Sequence, residues 1–453
     1  MKKSKGISNQ MDMLNGSIFN KILLFALPLA ISSILQQLFN SVDVAVVGRF
    51  ASSEALAAVG SNSSVISLLI NLFVGISVGA NVVIANYIGQ GKTEKIQDAV
   101  HNTVMIVSLI SGVFLLVLGL MIARPILEIM GTPENVIDLA VLYLHIYFLG
   151  MPFLMIYNFG AAVLRSKGDT KRPLYCLIIS GVINACLNLL FVIVFKLSVA
   201  GVAIATVIAD GVSAVLIIYF LMNEEETIRL RLNKLKIKKS ELIKVIKIGV
   251  PAGLQGVVFS VSNVCIQTAI NSFGSDAVAG SATGLNFEYF TYFTISVFVQ
   301  AAVTFTSQNY GARNFKRCKK IFVYSMISSV VICGLMSAIF VVWRDFFAGI
   351  YTTDKDVLEY ASMRMVHVLL FECLASSYEI GGAALRGVGY SMTPAVLTVL
   401  GSCVFRLIWI YTVFNKFRSF EMLMNVYPVS WVITGIAVLI AYAIVRKKLF
   451  KET

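Results

Sequence analysis

Asp43 stands in an apolar run, with LFNSV before it and VAVVG after it, in a chain of 453 residues. A charge at the centre of a membrane span costs roughly 2.5–3.5 kcal/mol even on lenient scales, so its side chain must face protein or water. Arg49 lies six residues on, about 9 Å along a helix and on another face, so a local salt bridge does not account for Asp43. Asn184 and Asn188 are spaced i, i+4 and share one helix face, as do Thr206 and Asp210. Counted along their runs, Asp43, Asn188 and Thr206 fall at one depth and Asp210 about one turn deeper. Carboxylate, amide and hydroxyl oxygens grouped this way suit a hard monovalent cation, or a carboxylate that takes up a proton. They suit interhelical hydrogen-bond glue equally well, worth about 0.6 kcal/mol per contact.

The second half of the chain has its own polar set. Glu288, Glu372 and Arg406 fall near mid-depth, where they read either as a buried ion-pair network or as coupling groups. Glu379 lies seven residues before Arg386 and reads either as part of a cytoplasmic gate or as the partner of a loop base, and His367 sits near the outer end of its run. Gln36, Asn40, Tyr157, Glu288 and Tyr378 are candidates to line a substrate cavity. Phe287, Tyr289 and Phe290 offer aromatic faces for a flat cation, although packed or lipid-facing rings are the ordinary use of such residues.

The elements that must position these groups are membrane helices. Apolar runs of about 20 residues return about twelve times, each long enough to cross a hydrocarbon core. They are read at 20–47, 57–86, 99–123, 136–163, 173–195 and 199–221. In the second half they are read at 245–271, 278–308, 319–347, 357–385, 391–415 and 425–445. Hydrophobic residues make up 58% and charged ones 13%, which leaves no room for a soluble catalytic domain. The net charge of +13 orients the chain instead of binding nucleic acid. Lys2, Lys3, Lys5, Lys92, Lys95, Arg165, Lys167, Lys171, Arg172, the basic run Arg229–Lys239, Arg313–Lys320 and Arg446–Lys451 fall on one side. The other side has few basic residues, so both termini are expected in the cytoplasm. No removable signal peptide is evident. Seven scattered cysteines without CxxC spacing predict neither a metal site nor a disulfide frame.

The chain also repeats itself at an offset of about 222 residues. Pro28 returns as Pro251, Asn40 as Asn263 and Gly89 as Gly311. Leu164, Arg165, Gly168 and Pro173 return as Leu385, Arg386, Gly389 and Pro394. The expected organisation is an N-lobe at 1–222, a basic cytoplasmic linker at 223–243 and a C-lobe at 244–453. An even number of spans per half makes the lobes parallel repeats, with a cavity expected between them and alternating access as the natural mechanism. Gly75, Gly79, Gly381 and Gly382 are positions where helices can approach closely.

The segments SVDVAVVGRFASSEALAAVG, GISVGANVVIANYIGQGK, LRSKGDTKRP, SQNYGAR and LRGVGYSMTP resemble the multidrug and toxic compound extrusion (MATE) family, bacterial branch, over nearly the whole chain. The resemblance implies an all-α, twelve-helix, two-lobed antiporter of the bacterial inner membrane. It would export organic cations and drugs against inward Na⁺ or H⁺, as a monomer without cofactor. In that family an Asp of helix 1 matches Asp43, an Asn of helix 5 matches Asn184 and a Thr of helix 6 matches Thr206, a set that would hold Na⁺. Members often have a second Asp one turn after that Asn. Asn188 stands there, and Asp210 is expected to supply the missing carboxylate from the next helix. Another branch has a Glu in helix 7, where this chain has only Phe259 and Ser260.

The competing expectation is a flippase for lipid-linked oligosaccharides, whose relatives share the duplicated plan but need a strongly cationic cavity for pyrophosphate. An intramembrane enzyme is not expected, because no HExxH, GxSxG or paired catalytic Asp motif falls within a span.

Overall fold

The computed structural model describes residues 11–100, 105–225 and 227–450, with backbone alone at 53, 61, 63, 64 and 68. The readings that rest on Lys2, Lys3, Lys5 and Lys451 lie outside these residues. The first half is built from α1 (Ile18–Phe50), α2 (Ser53–Gln90), α3 (Thr93–Asp98), α4 (Met105–Ile129), α5 (Glu134–Leu149), α6 (Met151–Ser166), α7 (Lys171–Leu189) and α8 (Ser198–Met222). The second half is built from α9 (Lys239–Asn271), α10 (Ser275–Gly311), α11 (Phe315–Val342), α12 (Arg344–Gly349), α13 (Lys355–His367) and α14 (Ser376–Gly387). It closes with α15 (Met392–Thr398), α16 (Phe405–Trp409), α17 (Phe420–Met424) and α18 (Val426–Leu449). Among the described residues, 11 spans are long and apolar enough to cross a membrane, and the bent pair α5–α6 makes a twelfth. The all-α, twelve-span expectation therefore holds.

The differences from the expected spans are local. The fourth span bends by 48° between Leu149 and Met151. Pro152, in the first turn of α6, has no N–H to continue the ladder from α5. The ninth span ends at Val342, and Arg344–Gly349 forms a separate short helix after Trp343. The tenth span runs from α13 to α14 through a 3₁₀ stretch at Leu369–Ala375. The eleventh passes through two π turns, at Val399–Val404 and Ile410–Phe414.

The chain divides into two compact units. Unit 1 contains Ile31–Gly253, and unit 2 contains Met13–Ala30 with everything from Leu254 onward. The borders fall inside α1 and α9, two residues after Pro28 and Pro251, instead of in the basic linker that the sequence marks.

Within unit 1, α2 is stopped at both ends by local chemistry. The Ser52 hydroxyl accepts from the Ala55 N–H at 3.2 Å, and Gly91 closes the far end with φ +67°. Near that end the Tyr87 hydroxyl donates to Glu241 at 2.6 Å, and Lys244 donates to the Tyr87 oxygen at 2.6 Å. These bonds fix the start of α9 against α2. Glycines then let the two backbones touch. A Cβ at Gly75 would lie 2.3 Å from the Gly253 Cα, and one at Gly79 would lie 2.4 Å from the Val245 carbonyl oxygen. A Cβ at Gly249 would lie 2.5 Å from the Ile76 Cα. Gly75→Val should force the helices apart and cost about 1–3 kcal/mol. A lowered melting temperature of the detergent-purified protein checks this, and an unchanged one would refute the contact.

The LRSKGDTKRP segment earns its residues as a capped, ion-paired turn. Gly168 takes φ +95°, where only glycine is unstrained. Asp169 Oδ1 accepts from the N–H groups of Lys171 and Arg172 at 3.0 and 3.1 Å, capping α7. Lys167 pairs with Glu224 at 2.8 Å, and Arg172 pairs with both Asp169 and Glu224. Burial works against the Glu224 charge, but Lys167 and Arg172 outweigh it and hold its carboxyl below the usual glutamate range. A depressed carboxyl stabilises the fold above its unfolded value, and that contribution is lost as pH falls through the folded value. Glu224→Gln should therefore lower the melting temperature at pH 7. The difference from wild type should close as pH falls below about 4. A gap that is constant across that range would refute the assignment.

Unit 2 holds its N-terminal segment with Arg317 and Asn309, which donates to the Met13 carbonyl at 3.1 Å. Arg317 donates to the carbonyls of Met13, Asn15 and Gly16 at 3.0, 2.9 and 2.8 Å. Phe25 packs edge-on against Phe305 at 5.5 Å.

Candidate functional site

In unit 1, the polar groups of α1, α7 and α8 form one connected cluster. Asn184 and Asn188 are buried, at 6% and 0% exposure, on one face of α7. Asn188 uses both amide N–H groups, donating to Asp43 Oδ1 and, at 3.1 Å, to Asn184 Oδ1. Asn184 donates to Thr206 Oγ1 at 3.3 Å, and Thr206 donates to the Val202 carbonyl at 3.0 Å. Asp43 is half-buried, and no bond to Arg49 is formed. The Oδ1 of Asn188 is buried without a hydrogen-bond partner. An unpaired buried acceptor is costly, so the cluster has room for one further donor or cation.

Asp210 stands on α8 one turn beyond Thr206. No hydrogen bond joins its carboxylate to the cluster among the described residues, although Asp43 lies within its electrostatic reach. Its Oδ2 faces the α5–α6 bend, 3.5 Å from where a Cβ on Gly150 would sit. Tyr143 and Tyr147 of α5 stack at 5.9 Å and lie within electrostatic reach of both Asp43 and Asp210. These tyrosines were not among the sequence candidates. Their i, i+4 spacing within an apolar run was the available signal.

The oxygens of Asp43, Asn184, Asn188 and Thr206 fit a hard monovalent ion, and no thiolate or imidazole is among them. No group of three or more His, Cys, Asp or Glu that could hold a metal occurs among the described residues.

The other candidates separate. Gln36 and Asn40 are exposed on α1. Tyr157 donates to the Pro173 carbonyl at 3.2 Å, bracing α6 on α7. Tyr378 is 2% exposed and belongs to the packed interior of unit 2. Phe287 sits in an aromatic nest with Phe340, Phe347 and Tyr351, while Tyr289 is exposed.

In unit 2 the expected network of Glu288, Glu372 and Arg406 does not form as read. Arg364, absent from the sequence candidates, takes Glu288 instead. Its Nε donates to Oε1 at 2.6 Å and its Nη2 to Oε2 at 2.8 Å, while Nη1 donates to Ser281 at 2.7 Å. Glu372 accepts from the Thr291 hydroxyl. Arg386 approaches Glu379 only to 4.0 Å. His367 shares a bond with the Asn425 side chain at 2.8 Å. Arg406 is 1% exposed, and its guanidinium lies 4.6 Å from the Tyr427 ring centroid and 5.2 Å from that of Phe259.

With this geometry in place, comparison with known proteins identifies the family. The MatE family model matches residues 28–190 and 251–412, one segment in each half. The probable multidrug resistance protein YoeA of Bacillus subtilis is 31% identical over 395 residues, covering 84% of each chain. The probable multidrug resistance protein NorM of Thermotoga maritima is 25% identical over 400 residues, covering 86% of this chain and 84% of its own. The structure of a MOP superfamily transporter from Pyrococcus furiosus superposes with a TM-score of 0.90 over the full length of both chains, at 21% identity, a likeness of fold. The flippase alternative is not favoured by relatives of these names. Two matched halves and a relative of this identity place the chain in the MatE family, as a multi-pass membrane transporter and not an enzyme.

Proposed function

We propose that this transporter exports organic cations and drugs from the bacterial cell in exchange for inward Na⁺ or H⁺, by alternating access. The observation that carries the reading is the Asp43–Asn188 contact, beside an amide oxygen that has no partner. While Asp43 is ionised, Asn188 must present N–H to it, because an amide oxygen turned toward a carboxylate is repelled. Once a proton or Na⁺ neutralises Asp43, the amide can turn and accept instead. The inorganic ion would find the free oxygen of Asp43 and the unpaired Oδ1 of Asn188, with Asn184 and Thr206 behind them. Asp210 adds a second carboxyl within electrostatic reach of Asp43, able to hold a proton or a charge. A cationic substrate favours the ionised cluster and loses that attraction when the cluster is filled. The names of the relatives, multidrug resistance proteins, support drugs as the substrate class.

For a neutral drug the electrical driving force alone is sufficient, whereas one-for-one exchange of a monovalent organic cation moves no net charge and draws on the ion's concentration gradient. One inward charge is worth about 2.3 kcal/mol per 100 mV, enough for about a fifty-fold gradient of a neutral substrate. We place both termini in the cytoplasm on the positive-inside asymmetry of the loops. The test is ethidium efflux from proteoliposomes with Na⁺ and H⁺ gradients imposed separately. One of the two should accelerate efflux over the ungraded control. No acceleration by either would end the antiport reading.

A further inference from the structure

Arg406 is the largest fully buried side chain of the protein and has no carboxylate within salt-bridge distance among the described residues. Its polar partners are neutral. Nε donates to Ser430 Oγ at 3.2 Å and Nη1 donates to Asn263 Oδ1 at 3.4 Å, both long for a guanidinium. The rings of Tyr427 and Phe259 lie against its guanidinium. Burying an uncompensated charge is costly, and stacking on two rings returns only part of that cost. Arg364, the other buried arginine against Tyr427, solves the same problem with a bidentate glutamate. Arg406 lacks that solution.

The backbone is built around this position. Arg406 lies in a five-residue α segment between the π turns Val399–Val404 and Ile410–Phe414. A π turn adds a residue to an α-helix and often marks a functional position. In the first half α7 runs as unbroken α-helix to Leu189 and then makes a π turn at Leu190–Val194, the counterpart of Ile410–Phe414. The turn at Val399–Val404 is therefore the one that adds a residue in the second half. That added residue moves the register from the 221-residue offset of Pro173 and Pro394 to 222, at which Arg406 takes the place of Asn184. Asn263, which touches Arg406, is likewise the repeat partner of Asn40. The duplicated fold therefore puts a guanidinium in unit 2 where unit 1 has an amide of its carboxylate cluster. Asn263 is exposed and accepts from Nη1 by one long bond, so a ligand oxygen that displaces its amide oxygen displaces a surface side chain and not a core one.

We infer that unit 2 contains an anion site at Arg406, which takes the carboxylate of a small organic molecule in place of the Asn263 side chain. The planar fork of arginine matches two carboxylate oxygens. The inference does not depend on which ion drives transport.

The test is equilibrium dialysis of [¹⁴C]benzoate against the detergent-purified full-length chain, with benzyl alcohol as the neutral control for partition into the micelle. Wild type should retain benzoate saturably. Unlabelled acetate should displace it, and equimolar chloride should not. Asn263→Asp puts an internal carboxylate at the guanidinium edge and should weaken benzoate binding by at least about ten-fold. Its melting temperature should be unchanged or higher, which separates site occupation from misfolding. Arg406→Lys, which keeps the charge and loses the fork, should also weaken binding. Absence of saturable binding in wild type, or wild-type binding in folded Asn263→Asp, would overturn the site. Equal displacement by chloride would overturn the carboxylate assignment.

Discussion

Asp43→Asn should abolish ion-driven efflux while leaving the protein folded. The substitution is nearly isosteric, and the new amide oxygen can still accept the N–H of Asn188. Only the charge is removed, and with it the ability to take up a proton or to attract Na⁺ and a cationic drug in turn. The ethidium gradient that the inward ion gradient sustains should collapse to one. Energised inverted vesicles given external ethidium measure this directly, as accumulation in the lumen. The melting temperature should stay near that of wild type, because Asp43 is only half-buried and its partner bond survives. Undiminished transport by this variant would remove Asp43 from the mechanism.

The second large effect is on stability. Arg364 and Glu288 are a bidentate pair with side chains 3% and 9% exposed. Removing one partner leaves the other charge buried and alone, which costs about 3–5 kcal/mol. Arg364→Met should therefore lower the melting temperature sharply, and Glu288→Leu should do the same. The double variant should recover most of the loss, since an apolar pair of similar volume avoids desolvating two charges. A double variant as unstable as the sum of the singles would mean that the pair is not coupled.

The spans were legible in the sequence because a bilayer imposes a length on any apolar helix. The Asp43 cluster was legible for a related reason: few polar side chains occur in those runs, and Asn184 and Asn188 share a face by spacing alone. What escaped was geometry that breaks the uniform rise of a helix. Depth counted at about 1.5 Å per residue put Glu288, Glu372 and Arg406 at one level, but level does not decide pairing. The 3₁₀ stretch at Leu369–Ala375 and the π turns around Arg406 turn these side chains to other partners. Arg364 was missed because it lies within a turn of His367 and reads as part of a polar helix end. The structure turns it inward onto Glu288 and Ser281. Pro152, with Gly150 two residues before it, was the mark of the bend that faces Asp210.

Pro251 invites the idea of a pliable joint, since a helix interior loses a hydrogen bond at proline. The glycines argue otherwise. Gly249 before it rests against Ile76, and Gly253 after it rests against Leu72, both at main-chain distance. The proline is thus splinted on either side by α2 and acts as a set elbow.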